Sequence, residues 1–562
     1  MKNKWILIFL IIPFMFTFSC KSKENKDDPS GEKELTEDEK IAQLLIDDDD
    51  ATTFRAYYNY MDGRNYDMVE VELGDRLKKP VDPERSGYVF EGWYVDKSYS
   101  ALYDFSTRFI ESIMIYAKWS VYEGVDYSFI LDEYVPSSTS VNLDLPTELE
   151  DYSDIYLAWK SSDPNTIDNN GNIYQGRENI KVTLTLTVYA DVKSTYETDI
   201  VVEPITFVSL EARKNKAMFG YYSYWNFAGY TEDQLKLDVI NASFAYVSND
   251  LSIDMRQITP YVKNFLIARQ SGVRVVLSIQ AANDCTNFSL AAKTEENRKL
   301  FAKNIVDVIE KYHFDGVDID WEYPGWDDIN AKHHEAENYT LLMKEIYTAV
   351  KNANADYIVS AAIPGGAEGW QRYDLDQVQV YLDYIHMMTY DMEASTKMFH
   401  HTALYGTNGK TTGNQSSIDD SVQIFVLRGV PYEKIVPGIA FYGKMAHPST
   451  SVNGGLGSSS ADSKSYTTIT YTNIYNNYIS KIDGTNIIYY YDKECEAPYL
   501  YVKNGNYFIT YDDETSIKAK CTYARALTKD EEYRLGGVMI WEIGEDRTGN
   551  LMKAVLSGMK RG

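Results

Sequence analysis

Phe314-Asp315-Gly316-Val317-Asp318-Ile319-Asp320-Trp321-Glu322-Tyr323-Pro324 is the stretch whose reading decides the fold. Asp318, Asp320 and Glu322 fall at period two, so an extended strand would turn all three carboxylates to one face. Burying acids beside valine and isoleucine costs several kcal/mol unless protons or partners compensate, so packing gives no reason to place them there. Close carboxylates push one pKa upward while a neighbour stays ionised, which is what acid–base chemistry near neutral pH requires. A metal site is the main rival, but no nearby histidine has ligand spacing, and a solvated loop would not alternate acids with aliphatics.

Around this stretch, from about residue 214 onward, short apolar runs alternate with helical patterns, as a parallel sheet built from βα units does. Expected strands are Met218–Tyr222, Val239–Tyr246, Arg274–Ile279, Gly316–Asp320, Tyr357–Ala362, Tyr384–Tyr390, Ile435–Phe441 and Gly536–Trp541. Between them Leu300, Phe301, Ile305, Val308, Ile309 and Tyr312 recur at helical spacing. Eight such strands predict a (β/α)8 TIM barrel over 214–562, with reacting groups at the C-terminal strand ends.

The Asp-x-x-Asp-x-Asp-x-Glu pattern, with Asp315 as its first member, resembles the signature of glycoside hydrolase family 18. Phe219-Gly220-Tyr221-Tyr222 and Ala242-Ser243-Phe244-Ala245-Tyr246 resemble that family's first two strands. Met388-Thr389-Tyr390-Asp391, Gly438-Ile439-Ala440-Phe441-Tyr442-Gly443 and Gly536-Gly537-Val538-Met539-Ile540-Trp541 resemble its sixth to eighth, and Tyr511-Asp512-Asp513 with Ser516 and Lys520 also fits. One departure stands out. The family's third strand usually ends Ser-x-Gly-Gly, and here it reads Ser278-Ile279-Gln280-Ala281, which is expected to alter geometry or specificity rather than remove the chemistry.

The resemblance implies a retaining hydrolase of β-1,4-linked N-acetylglucosamine polymers such as chitin, acting through the substrate's own acetamido group. In that scheme Glu322 protonates the leaving oxygen, Asp320 orients the acetamido N–H, Asp318 holds Asp320, and Tyr390 bonds the acetamido oxygen. Asp391, Trp541, Met388, Tyr221, Ser278 and Phe244 are implied as substrate-binding, with Trp541 as the floor beneath the reacting sugar. Ser278 is also expected to bond the carboxylate cluster. No cofactor and no metal are implied. Two alternatives are an endo-β-N-acetylglucosaminidase acting on N-glycan cores and a non-catalytic chitin-binding surface protein. Inactive relatives usually lose the glutamate that is present here as Glu322.

Residues 444–511 are rich in tyrosine, with Tyr489-Tyr490-Tyr491-Asp492 and Ala497-Pro498-Tyr499-Leu500. They resemble the family's α+β insertion domain, which implies a raised groove wall suited to a long linear chain and less so to a compact glycan. Two small β-rich domains precede the barrel. Residues 51–120, through Gly87-Tyr88-Val89-Phe90-Glu91-Gly92-Trp93-Tyr94 and Tyr116-Ala117-Lys118-Trp119, resemble the Listeria–Bacteroides repeat, a β-grasp-like module. Residues 121–205, where Val182-Thr183-Leu184-Thr185-Leu186-Thr187-Val188 alternates as a half-buried strand, resemble bacterial Ig-like sandwich domains. Both are expected to act as spacers.

At the start, Lys2 and Lys4 precede an apolar run from Trp5 to Phe18, at about 14 residues too short to span a membrane. Thr17-Phe18-Ser19-Cys20 resembles a lipobox, which implies a signal peptide over 1–19, a diacylglycerol on the Cys20 sulfur and an exported lipoprotein of the bacterial envelope. The charged stretch 20–50 reads as a disordered acidic tether. Cys285, Cys495 and Cys521 cannot make a disulfide framework. His333-His334 and His400-His401 are adjacent pairs whose side chains point different ways, and they are expected on surfaces or loops.

Net charge points the same way. With 55 Lys+Arg against 83 Asp+Glu, the chain carries −28, which argues against nucleic acid and against docking on anionic lipid by charge alone. Its 48 tyrosines suit sugar contacts and β-rich packing alike. An uncharged polysaccharide is the expected partner, the membrane is reached only through the lipid, and the chain is expected to be a monomer.

Overall fold

The computed structural model describes residues 36–47 and 51–561 except 86–87, 122–123, 150–151, 191, 214–216, 282–284, 326–331, 367–368, 394–396, 407–415, 462–465 and 526–533. Lys2, Lys4 and the Cys20 lipobox therefore lie outside the described residues. The chain divides into two compact units, residues 1–125 and 126–562.

In the first unit, strands Thr53–Asn59, Asp67–Glu72, Tyr88–Tyr94 and Ile113–Val121 form one sheet, in which the first and last run parallel. Its core gathers Phe54, Tyr58, Leu77 and Trp93, with Tyr58 and Phe90 edge-on to Trp93 at 5.1 and 5.5 Å. The acidic tether needs correction at its end. Glu37–Leu44 is a helix, opened by a capping box in which Thr36 and Glu39 bond each other's backbone N–H groups. Ile41 is buried against Tyr57, Met114 and Tyr116, so an apolar anchor holds a segment whose composition alone reads as solvated.

The second unit begins with a five-stranded sheet made by Ser138–Thr139, Glu148–Leu149, Tyr152–Ser161, Ile180–Tyr189 and Ser194–Val202. The alternation expected at 182–188 is observed: Val182, Leu184, Leu186 and Val188 are buried while the threonines between them are half-exposed. This module is no free spacer. Arg177 reaches out of it to ion-pair Asp315 at 3.0 Å, and Thr166 Oγ1 lies 3.0 Å from His313 Nε2. Phe207 in the connecting segment sits under three guanidiniums, those of Arg177, Arg274 and Arg269, at 4.5, 4.8 and 5.6 Å.

Eight parallel strands then close into a barrel. They are β1 Ala217–Ser223, β2 Val239–Val247, β3 Arg274–Gln280, β4 Gly316–Asp320, β5 Ile358–Pro364, β6 Tyr384–Met388, β7 Ile435–Ala440 and β8 Gly537–Trp541. Each pairs with the next, and β8 returns to β1 through Ala217↔Gly537 to Gly220↔Ile540. All lie within a few residues of the strands expected from the sequence. In β4, Val317 and Ile319 pack outward with Ile305 and Ile309 of the helix Glu295–Lys311, leaving Asp318 and Asp320 to the barrel interior. Gly316, at φ +147°, is forced: a Cβ there would meet the Ile358 carbonyl oxygen at 2.1 Å.

The insertion after β7 forms its own sheet from Tyr442–Ala446, Thr467–Thr470, Ile487–Asp492, Ala497–Val502 and Tyr507–Thr510, with a helix at Tyr471–Asn477. Among the described residues, no helix is long and apolar enough to cross a membrane.

Candidate active site

The acids of β4 meet very different surroundings although they alternate on one face. Asp318 is fully buried and saturated with partners. Tyr221 Oη and Ser278 Oγ donate to its Oδ2 at 2.7 and 2.8 Å, and Ser360 Oγ donates to Oδ1 at 2.7 Å. His386 Nδ1 lies 3.4 Å from Oδ1 and 2.9 Å from the Tyr221 hydroxyl. Burial alone would raise the Asp318 carboxyl. The bond and charge of His386, with the Ser360 and Tyr221 hydroxyls, outweigh it and hold the group below its ordinary value.

Asp320 is also buried, but among the described residues its Oδ1 has no hydrogen-bond partner. Burial, then the charges of Glu322 and Asp318, push its pKa well above the ordinary value, and it is hydrogen-bonded to Glu322. Glu322, just past the end of β4, is raised by burial too, against hydrogen bonds with Gln280, Tyr323 and Asp320. The surroundings thus favour the protonated form at Asp320 and Glu322 and the charged form at Asp318. The space they face is a cavity of about 770 Å³, bounded by Tyr221, Phe244, Met388, Tyr390, Asp391 and Trp541.

The aromatic floor arises from β1, β2 and β8. Trp541 stacks on Phe244 at 5.7 Å and 19°, and its ring lies 5.4 Å from Tyr221. Tyr390 opens into the cavity, and burial keeps its phenol well above the usual range, so it is a neutral donor. Asp391, at φ +55°, accepts from Tyr442 Oη at 2.6 Å and pairs with Lys444 Nζ at 2.9 Å. Residues from the start of the insertion therefore fix this carboxylate at the cavity wall.

Most site residues expected from sequence converge here. Ser278 is fully buried behind Asp318, outside the cavity lining, and bonds that carboxylate as expected. Sequence reasoning missed Ser360, His386, Trp225 and Glu393. Ser360 and His386 had a signal: each is a polar residue inside an apolar strand, where it must find a partner. Trp225 and Glu393 line the cavity from loops and had none.

The histidine pairs divide as well. His333 and His334 begin the helix Lys332–Ala353, and their side chains lie outside the described residues. His400 and His401 lie in a loop, as expected, yet both are buried, with Tyr499 beside His400 and Tyr442 beside His401. They do point different ways. Their ring nitrogens join His400 with Asp492 and Cys495, and His401 with Asp391 and Glu393, groups compact enough for a metal ion. In the second group the Lys444 ammonium already supplies positive charge at Asp391. Asp512 is an internal strut: Lys520 Nζ reaches both its oxygens, at 2.6 and 2.7 Å, and also Thr402 Oγ1. Cys495 and Cys521 are buried free thiols.

Comparison with known proteins agrees with this geometry. Residues 217–546, more than half the chain, match the model of glycosyl hydrolases family 18, and residues 54–118 match the Listeria–Bacteroides repeat domain. Chitinase A1 of Niallia circulans is 29% identical over 318 residues, 53% of this chain and 44% of that one. Chitinase B of Serratia marcescens is 29% identical over 385 residues, 57% of this chain and 75% of that one. This chain thus spans less than half of the first relative's length. Among solved structures, a family 18 N-acetylglucosaminidase from Paenibacillus barengoltzii superposes with a TM-score of 0.54 at 34% identity, covering 61% of this chain and 99% of that one. With more than half of its residues matching that family model, the chain belongs to glycoside hydrolase family 18.

Proposed function

We propose that the chain is a retaining endo-hydrolase of β-1,4-linked N-acetylglucosamine polymers, with chitin as the substrate class. The observation that carries this reading is the row of acids Asp318, Asp320 and Glu322 at the end of β4, with Asp318 and Asp320 buried and Asp320 and Glu322 lining a cavity that also holds Tyr390. Glu322 donates its proton to the glycosidic oxygen as the C1–O bond breaks. The acetamido carbonyl oxygen of the same sugar bonds to C1, giving an oxazolinium ion. Asp320 accepts the acetamido N–H and faces the positive charge as it develops, while the Tyr390 hydroxyl donates to the acetamido oxygen. Water then adds to C1 as the bond from C1 to the acetamido oxygen breaks, regenerating the acetamide, and it gives a proton to the Glu322 carboxylate, which restores the acid and retains the anomeric configuration. Trp541 offers a flat face to the distorted ring.

A second reading is release of single terminal N-acetylglucosamine units, favoured by the Paenibacillus barengoltzii relative, which is described as an N-acetylglucosaminidase. Product analysis on chitin oligomers beside a high-mannose glycoprotein separates the possibilities. Short oligomers with retained configuration support the endo reading, and single sugars support the second. Cleavage of the glycoprotein alone rejects both, and binding without cleavage leaves a lectin. We also propose that Cys20 carries a lipid anchor on an exported protein. Radiolabelled palmitate should enter the chain and be lost in Cys20→Ala.

A further inference from the structure

Where β3 ends, the family pattern has glycines, and this chain places Gln280 and Ala281. The strand register fixes where that side chain goes. Gln280 lies opposite Tyr246 on β2 and opposite Asp320 on β4, and it is half-buried at the cavity wall. Its carboxamide Nε2 is 3.4 Å from Glu322 Oε1, at the long end of a hydrogen bond. Such contacts commonly tighten only as the reacting complex forms, and an N–H donor binds a carboxylate more strongly than a neutral carboxyl.

We propose that Gln280 is a positioning residue for the acid: it holds Glu322 by Oε1, reserves the other oxygen for the proton in transit, and stabilises the carboxylate left after transfer. The inference rests on the reading of Glu322 as the general acid. A glycine in this place leaves one oxygen without a side-chain donor from β3, so the acid would be held from fewer directions. The other ionisable groups around Glu322 are Asp320 and Tyr323 on its own strand extension, with Asp318 below. Asp391 and Tyr390 face it from beyond β6, Tyr373 from beyond β5, and Cys285 Sγ donates to its backbone carbonyl at 3.0 Å. Asp391 opposes loss of the proton, whereas Gln280 favours it, and the two act from different strands.

The test uses the full-length chain with Gln280→Met, which keeps the length of the side chain and removes its donors, beside Gln280→Ala. Hydrolysis of an aryl glycoside of N-acetylglucosamine oligomers is followed across pH. In Gln280→Met the basic limb of kcat/KM should move up by about half to one pH unit, because the charged form of Glu322 has lost a donor. Its kcat at the optimum should fall about three- to tenfold with KM nearly unchanged. An unmoved basic limb overturns the proposal, as does a change confined to KM, which would make Gln280 only a wall. Should the wild type hydrolyse no such glycoside, the proposed reaction fails, and the Gln280 inference is still read directly. The δ-carboxyl of Glu322, labelled with carbon-13 and assigned through Glu322→Gln, is titrated by NMR in wild type and Gln280→Met. Equal midpoints refute the positioning role.

Discussion

Asp315 and Asp320 stand at opposite ends of one strand, both fully buried, and only one of them is at peace with its surroundings. Asp315, at the foot of β4, accepts from Arg269 Nε at 3.0 Å and Nη2 at 3.1 Å, from Arg177 Nε at 3.1 Å and from the Val275 backbone N–H at 2.9 Å. Among the described residues Asp320, at the head, has no cation beside it and no partner for Oδ1. A buried carboxylate with two guanidiniums is compensated and inert. One held among other acids is raised in energy unless it takes a proton, and that is the condition for proton transfer. The Asp-x-x-Asp-x-Asp-x-Glu pattern therefore combines two buried, well-partnered residues, Asp315 and Asp318, with two that line the cavity, Asp320 and Glu322.

The largest way to break this contrast is at its head. Glu322→Gln should lower kcat by about 10²–10⁴-fold with KM little altered, since general acid catalysis contributes about that much. Steady-state assay on an aryl chitooligoside reads the loss, and unchanged kcat would remove Glu322 from the reaction. At the foot the effect should be on stability. Asp315→Ala leaves Arg177 and Arg269 buried without their counter-charge, which costs about 3–5 kcal/mol. Urea denaturation measures it, and kcat per folded molecule should stay near that of wild type. A large loss of kcat with stability intact would erase the distinction between the two aspartates.

A third probe concerns pH. Burial and the charge of Glu542 push Glu545 up to about 8, and burial and Asp391 push Glu393 up to about 7. Both pKa values exceed those of the unfolded chain, so the folded state holds the extra protons. Their contribution to stability is complete below about pH 4 and is lost as pH rises through 7 and 8. Stability should decline over that window, and Glu545→Gln should flatten the decline, as denaturation at pH 6 and pH 9 would show. A slope identical to wild type would count against the shift at Glu545.

The smallest expected effect lies at the rim. The Trp225 ring is half exposed beside the cavity, whereas Trp321 is fully buried and stacked on Phe288 at 5.4 Å and 11°. Trp225→Ala should raise KM for longer oligomers about three- to tenfold, because a stacked aromatic contributes about 1 kcal/mol, and should leave stability nearly untouched. Equal KM changes on short and long oligomers would place Trp225 against the reacting sugar itself.

Much of this was legible before any coordinates. The βα alternation, the period-two acids and the ordered strand-end motifs specify the barrel and the members of its mouth, because strand ends in this fold share one face. The docked β module was not legible. Residues 121–205 read as a separate spacer domain, and the partner of Arg177, Asp315, lies 138 positions away. The helix Glu37–Leu44 was hidden for a similar reason: its composition is that of a solvated chain, and burial of Ile41 on a distant sheet is what holds it.

The sequence by itself determined the strand order, the family and the acids at the barrel mouth, since periodicity and motif spacing are local properties of the chain. Tertiary structure alone decided which acid is compensated by cations, which are raised by burial and which hydroxyls hold them. Those states depend on Ser278, Ser360, His386, Gln280 and Arg177 arriving from other strands and from another module. A carboxylate's chemistry is set by the dielectric and the partners within a few ångströms, and neither is written in its own sequence neighbourhood.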